Sequence, residues 1–249
     1  MFSPNTKEQL NSAINLWFYN KQEAIRRYGN ISEWDTSKIN DMCELFRNKK
    51  FFNEDLSNWD VFNVKNMRNM FLNNESFNSD LSKWNVSKVA DISFMFYMGH
   101  CFNSDLSNWD VSNITDMNYL FLNAESFNYD LSSWNVSNVK NMQGMFYGAK
   151  LFNSDISLWD VSKVEDMSHM FDRALLFNSD LSNWNTSNVK NMYSMFFMAK
   201  SFNSDISNWN VSNVKNVRDM FDGALLFNID LSNWNNMLFT HYKVKNGTN

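Results

Sequence analysis

Tryptophan recurs through most of this chain at one fixed spacing. Nine of its tryptophans follow one another at intervals of 25 residues, without a single insertion: Trp34, Trp59, Trp84, Trp109, Trp134, Trp159, Trp184, Trp209 and Trp234. Such a fixed period is typical of repeat architectures, in which each unit contacts mainly its neighbours. Because the register never slips, equivalent side chains should stack into columns from one repeat to the next.

Apolar columns accompany the tryptophans and predict a core. One column is entirely phenylalanine: Phe52, Phe77, Phe102, Phe127, Phe152, Phe177, Phe202 and Phe227. A leucine or isoleucine column begins at Leu56. Val61 follows Trp59 by two residues, which is the period of a strand, so W-D-V predicts a short strand with Trp and Val on one face. Each repeat would add one such strand to a parallel sheet.

The segment after each W-D-V carries a second pattern. Val139, Met142, Met145 and Phe146 lie at i, i+3, i+6 and i+7, which favours one face of a short helix. Ser162 and Glu165 match a capping box at the start of the equivalent segment. Strands are about 4.8 Å apart and helix axes about 8–10 Å apart, so the stack should curve with its helices outside. The sequence therefore predicts an α/β solenoid, with short parallel strands on one side and short helices on the other.

The two ends of the chain depart from the period. Near the N-terminus, Asn5 or Thr6 could cap a helix that ends near Gly29. Its apolar face would consist of Leu10, Ile14, Trp17 and Phe18. We expect one domain with residues 1–30 as a helical cap, residues 31–235 as about eight repeats, and residues 236–249 as a C-terminal cap and polar tail.

Charge and cysteine content narrow the partners and the compartment. The net charge of −5 provides no basic stripe for a phosphate backbone, so no nucleic-acid partner is expected. The sequence shows neither a signal peptide nor a membrane span, so we expect no membrane insertion and a cytoplasmic or virion-associated location rather than classical secretion. Cys43 and Cys101 occupy different repeat positions, which argues against a disulfide.

The repeat as a whole resembles a known family. The line F-N-x-D-[LI]-S-x-W-[DN]-V-S-x-V-x-x-M-x-x-M-F is similar to the 25-residue repeat of the BspA-type, leucine-rich-repeat-like surface proteins, which also occurs in mycoplasma-type lipoproteins. The resemblance covers about residues 31–235. It implies a leucine-rich-repeat-like, right-handed coil and a role in adhesion or protein binding. It implies no enzymatic activity and no cofactor.

Two polar columns could carry chemistry or could be structural. The aspartate column includes Asp80, Asp105 and Asp130, and it could form a calcium ladder or accept local bonds from backbone N–H groups and the serine two residues later. The local role is favoured, and no metal is expected. The asparagine column includes Asn78, Asn103 and Asn128 and is interpreted as a buried amide ladder. With Trp59, Trp84, Trp109 and Trp134, these columns are predicted to be structural ladders.

A catalytic interpretation finds little support. His100, His169 and His241 occupy different repeat positions, and the Ser–Asp pairs recur in every repeat, as a structural role requires and catalysis does not. We therefore expect that the protein is not an enzyme.

Specificity should come from the columns that vary. Several outer positions of the predicted helices are large and apolar where a solvent face should be polar. They are the candidate partner-binding residues Phe94, Tyr97, Tyr119, Leu122, Tyr147, Tyr193 and Phe197. Aromatic residues of this kind favour an interface, and the alternative is ordinary packing between neighbouring repeats.

The function predicted from these features is a non-catalytic repeat scaffold for protein–protein interaction. Its partners would be unidentified proteins, a second copy of the chain included. The competing prediction is a structural component of a larger assembly, such as a virion or envelope layer. A third alternative is an adhesin that binds carbohydrate or metal through the repeated Asp and Ser columns.

Overall fold

Two helices precede the repeats. The computed structural model describes residues 2–234, so the predicted cap and tail at residues 236–249 lie outside the described residues. Helix α1 (Lys7–Tyr19) begins where the Thr6 side chain accepts a hydrogen bond from the backbone N–H of Gln9. Helix α2 (Lys21–Tyr28) follows at once, because Asn20 ends α1 and its side chain caps α2. The single helix predicted from the sequence is thus two.

The helices cover the first repeat. Leu10, Ile14 and Trp17 are buried, and the Trp17 ring meets the Trp34 ring edge-on at 5.9 Å. Phe18 is 38% exposed, and its ring centroid lies 5.5 Å from that of Phe52. A short 3₁₀ turn (Ile31–Glu33) then leads into the repeats. No helix within residues 2–234 is long and apolar enough to cross a membrane.

A nine-residue segment in each repeat connects it to the next. We name these segments turn runs; they are residues 41–49, 66–74, 91–99, 116–124, 141–149, 166–174, 191–199 and 216–224. Parallel bridges join the first residues of successive runs, for example Asp116 and Asn141. Backbone N–H groups of Tyr119 and Phe121 donate to the carbonyls of Gln143 and Met145, at 2.8 and 2.9 Å. Successive repeats are therefore joined by a backbone ladder.

The turn runs replace the helix predicted in each repeat. Along a run, the backbone N–H groups alternate between two directions of hydrogen bonding. Those of Leu120 and Leu122 donate within the run, to the carbonyls of Met117 and Tyr119, and those of the residues between them donate to the next repeat. Tyr119 and Asn123 have φ values of 53° and 54°, in the left-handed region that a right-handed helix excludes. From Trp34 to Trp234, the described backbone contains no α-helix.

In the repeat of Trp109, the W-D-V segment lies between turns at residues 107–108 and 112–113, and the structure shows no strand at residues 109–111. The Asp110 side chain accepts from the Ser112 N–H, and the Ile114 N–H bonds to the Val111 carbonyl three residues back. Trp109 and Val111 are both buried, as their shared face requires. Adjacent repeats are joined here mainly through side chains: the Trp109 Nε1–H donates to the Leu81 carbonyl at 3.0 Å.

Parallel aromatic rings fill the space between the turn runs and the W-D-V segments. In the column that begins at Phe46, ring centroids of neighbouring repeats lie 5.4 to 5.9 Å apart. In the tryptophan column the corresponding distances are 6.2 to 6.5 Å. Because the rings of a column are nearly parallel, these distances report the local spacing of the repeats. The repeats are closer at the turn runs than at the tryptophans, the reverse of the predicted order.

Removing one central ring should destabilise the stack. Phe121 is fully buried and its centroid lies 5.7, 4.0 and 5.6 Å from those of Phe96, Phe127 and Phe146. We expect Phe121→Ala to lower the free energy of unfolding in urea by about 3–5 kcal/mol, because it removes a buried ring and leaves a cavity.

The matched control is Phe62→Ala, because Phe62 is 42% exposed. This substitution should cost less than about 1 kcal/mol. Similar losses for the two variants would contradict the described core.

Candidate functional site

The outward positions of the turn runs form one continuous surface. In the run 116–124, Met117, Leu120, Phe121 and Ala124 are buried, and positions 118, 119, 122 and 123 lie on the outer side. We name the latter positions and their equivalents in the other runs the variable face. Residue type changes there from run to run, while the inward positions of Met117, Leu120 and Phe121 stay apolar in every run. The fold therefore does not dictate which residues occupy the variable face.

Aromatic rings from three successive runs meet on the variable face. The Phe94 ring lies 5.1 Å from the Tyr119 ring and 6.1 Å from the Tyr97 ring. Burial is the first cause that raises the pKa of the Tyr119 phenol, and the neighbouring phenols of Tyr97 and Tyr147 add to it. These four residues form what we name the ring cluster.

A glycine makes room for the central ring of this cluster. Gly144 occupies the position equivalent to Tyr119 in the next run, and a Cβ atom there would lie 2.4 Å from the Tyr119 ring. The ring therefore lies directly over the Gly144 backbone. Burial, with a smaller contribution from the Asp166 carboxylate, raises the pKa of the Tyr119 phenol.

A second group of side chains continues the face toward the C-terminus. The Arg173 guanidinium lies over the Tyr147 and Phe197 rings, 5.4 and 5.2 Å from their centroids. It also contacts Asp172, which is only 2% exposed. The other Asp172 oxygen lies 2.9 Å from His169 Nδ1, and the His169 ring meets the Tyr193 ring edge-on at 4.7 Å.

Of the predicted partner-binding residues, Phe94 contacts Tyr97 and Tyr119, while His169 and Arg173 link Tyr147, Tyr193 and Phe197. Phe94, Tyr97, Tyr119, Tyr147, Tyr193 and Phe197 are all half-buried. Leu122, also on the variable face, is only 8% exposed, so little of its surface is available to a partner. The six rings pack between neighbouring runs and also keep part of their surface in solvent.

The sequence interpretation missed the charged group at His169, Asp172 and Arg173. In the sequence, His169 is one of three histidines that occupy different repeat positions. The available signal was an aspartate at position 172, in a column that holds leucine, tyrosine or phenylalanine in the five other runs from 66–74 to 191–199. A buried carboxylate needs partners, and the residues three positions before it and one after it supply them.

The aspartate column makes local bonds. The Oδ1 atoms of Asp80, Asp105 and Asp130 each accept from the backbone N–H of the serine two residues later, at 2.9, 2.9 and 2.8 Å. The Ser82 N–H, and then the Ser82 hydroxyl, lower the pKa of Asp80. Within residues 2–234, no group of three or more His, Cys, Asp or Glu residues could hold a metal ion.

The asparagine column forms a ladder on the surface. The Oδ1 atoms of Asn53, Asn78 and Asn103 accept from the backbone N–H of the asparagine 25 residues later, at 2.8, 2.8 and 3.0 Å. The prediction of a buried ladder is wrong, because Asn78 and Asn128 are exposed and Asn103 is half-buried. In the tryptophan column, Trp59, Trp84 and Trp134 each donate to a carbonyl of the preceding repeat.

Comparison with known proteins identifies one family. The family model described as "Mycoplasma protein of unknown function, DUF285" matches residues 12–119, 86–175 and 154–244. These matches overlap and together span most of the chain. A search of the curated proteins found no match.

Acidification should weaken the turns that aspartates form. The pKa values of Asp55, Asp80, Asp155 and Asp205 are lowered from 3.8, chiefly by backbone N–H donors. A folded-state pKa below the unfolded value gives stability that is complete above the unfolded pKa and is lost as pH falls through the folded one. Below about pH 4, the urea midpoint of the wild type should therefore fall more steeply than that of a variant with all four changed to Asn.

Neutral pH provides the control for this comparison. An asparagine oxygen can accept the same bond, as Asn85 does from the Ser87 N–H at 3.1 Å. The variant and the wild type should therefore have similar midpoints at pH 7. Parallel curves from pH 7 to pH 2 would contradict the assigned role of these carboxylates.

Proposed function

The chain belongs to the family of Mycoplasma proteins of unknown function, DUF285, and we propose that it is a non-catalytic repeat scaffold that binds other proteins. The observation that carries the proposal is the ring cluster. Phe94, Tyr97, Tyr119 and Tyr147 occupy outward positions at which other runs hold asparagine, serine or aspartate, among other types. Aromatic residues that the fold does not require are typical of interface cores.

We further propose that residues 31–235 form a solenoid whose turn runs lie on the inner, concave side. The backbone ladder between successive runs supports this architecture, because it repeats every 25 residues. The shorter spacing at the turn runs supports the direction of the curve. The variable face would then line the concave surface, where a partner can contact several repeats at once.

A rigid face suits this function. The ring cluster is held by contacts across the runs and by the ladder beneath it, so little side-chain freedom remains to be lost on binding. A pre-organised surface binds more tightly because it has less ordering cost. Partial exposure leaves ring surface available to a partner.

We also propose that the protein is related to the BspA-type surface proteins. The repeat line shared with BspA-type surface proteins supports an adhesion-type role, in which the scaffold holds a partner protein without changing it chemically. The repetition of the Asp and Ser columns in every repeat supports a structural use of those residues, because a single catalytic site would need them only once.

One observation favours a second candidate, a structural component of a larger assembly. Leu151, Leu176 and Leu226 occupy one column of the repeat and are 49%, 50% and 61% exposed. Leu151 and Leu176 form a row in neighbouring repeats, with Ser201 between them and Leu226, and exposed apolar side chains can meet a second copy of the same chain. Self-association through this row would make the protein a building block.

A binding experiment separates the two candidates. Tagged protein and a Phe94→Ser, Tyr119→Ser variant are incubated with lysate of the native cell or host, and light scattering gives their masses. Serine suits the position because Ser194 holds it in another run with φ 50°. We expect a defined partner on the wild type, its loss from the variant, and monomers in both samples.

The control variant is Phe62→Ser, Tyr129→Ser. It removes the same residue types away from the variable face, at columns that hold mostly serine in the other repeats. This variant should keep the partner. Equal retention by all three proteins would contradict the assigned face, and self-association that disappears in a Leu151→Ser, Leu176→Ser variant would favour the building block.

A further inference from the structure

Three neighbouring turn runs differ from the others in charge. Runs 91–99, 116–124 and 141–149 contain two carboxylates, Asp91 and Asp116, and no Lys, Arg or His. They are also the runs that supply the ring cluster. These three runs, which lie between Arg68 and His169 on the variable face, therefore combine aromatic rings with negative charge and hold no basic side chain of their own.

The two carboxylates are direct neighbours. Asp91 and Asp116 are joined by a parallel bridge, whereas every other bridged pair in the described runs includes at least one asparagine. Neither carboxylate forms an ion pair within residues 2–234. In the same stretch, the Asn118 side-chain oxygen is buried without a hydrogen-bond donor. Asp91 accepts hydrogen bonds from Ser93, and Asp116 accepts them from Asn118 and Asn141. These donors carry no charge, and like charges at this spacing repel, so a cation would stabilise the stretch.

The chain's own arginines show how cations sit on this face. The Arg68 guanidinium lies 5.4 Å from the Phe94 centroid at one edge of the stretch. At the other edge, Arg173 lies over Tyr147 and Phe197. Between them, in the described part of the chain, no Lys or Arg lies over the rings of Tyr97 and Tyr119. Cations are attracted to the faces of such rings.

We propose that this stretch of the variable face docks an extended segment of a partner protein that carries lysine or arginine. Its cationic groups lie beside Asp91 and Asp116, next to the exposed part of the ring cluster. This inference rests on the proposed function, because it names the class of partner that the same surface takes.

The spacing of the runs suits such a segment. Equivalent rings of the three runs, those of Phe96, Phe121 and Phe146, lie 5.7 and 5.6 Å apart. In an extended chain, alternate side chains point to one side at intervals of about 6.6 Å. The difference is about 1 Å for each run, which flexible lysine stems can absorb over three runs.

The test measures binding of a fluorescein-labelled (Lys-Ser)5 peptide by fluorescence anisotropy. A (Glu-Ser)5 peptide with the same label is the negatively charged control. We expect the wild type to bind the lysine peptide alone. An Asp91→Asn, Asp116→Asn variant should bind about tenfold more weakly, because it removes two attractive charges. Asparagine is native to this column at Asn66 and Asn141, so the ladder should remain intact.

The control variant is Asp110→Asn, Asp160→Asn. It removes the same charge at a column where Asn85 and Asn135 already stand, and it should bind within twofold of the wild type. Equal weakening of both variants would show attraction by net charge alone and overturn the inference, as would the absence of lysine-peptide binding.

The two proposals can fail separately. Suppose that the Phe94→Ser, Tyr119→Ser variant loses its lysate partner while the wild type fails to bind the lysine peptide. In that case the proposed scaffold function stands, and only the cationic class of partner is wrong. If the lysine peptide binds and is lost specifically in the Asp91→Asn, Asp116→Asn variant, the inference stands. Loss of peptide binding in a Tyr119→Ser variant, with Tyr129→Ser unaffected, would place the peptide on the ring cluster.

Discussion

The structure depends on a backbone that alternates between two hydrogen-bonding directions. In the turn runs from 41–49 to 191–199, every second N–H group leaves the run and bonds to a carbonyl of the next repeat. This alternation requires left-handed backbone at residues such as Tyr119 and Asn123, which costs roughly 1–2 kcal/mol at each non-glycine position. A single run could not offset that cost. Neighbouring runs offset it through inter-repeat bonds and through the burial of rings such as Phe121.

The same alternation divides the side chains of each run into an inward set, which packs in the core, and an outward set, which forms the variable face. Inward residues such as Met117 and Phe121 must fill the space between repeats, and their columns stay apolar. Outward residues meet only solvent and the neighbouring runs, so they are free to differ. The ring cluster and the carboxylates beside it occupy this second set. A scaffold of this kind can carry specificity on one face without any change in the interactions that hold its repeats together.

The period, the core columns and the aromatic outward residues could all be predicted from the sequence, because each depends on residue type at a fixed interval. The form of the turn runs could not. Met117, Leu120, Phe121 and Ala124 point inward at i, i+3, i+4 and i+7, which is also the pattern of a helix face. Left-handed backbone at Tyr119 gave no signal, because such conformations are expected at glycine or asparagine. The contacts of Arg173 with Tyr147 and Phe197 depend on the spacing of the runs, which no local pattern encodes.

Residue-resolved amide hydrogen exchange tests the backbone ladder most directly. The account predicts slow exchange at the amides of Tyr119, Phe121 and Asn123, which donate to the carbonyls of the next repeat at 2.8, 2.9 and 2.6 Å. The amide of Asn108, an exposed residue in a turn on the tryptophan side, should exchange fast. Exchange at Tyr119, Phe121 and Asn123 as fast as at Asn108 would contradict the ladder and, with it, the division of each run into core and variable face.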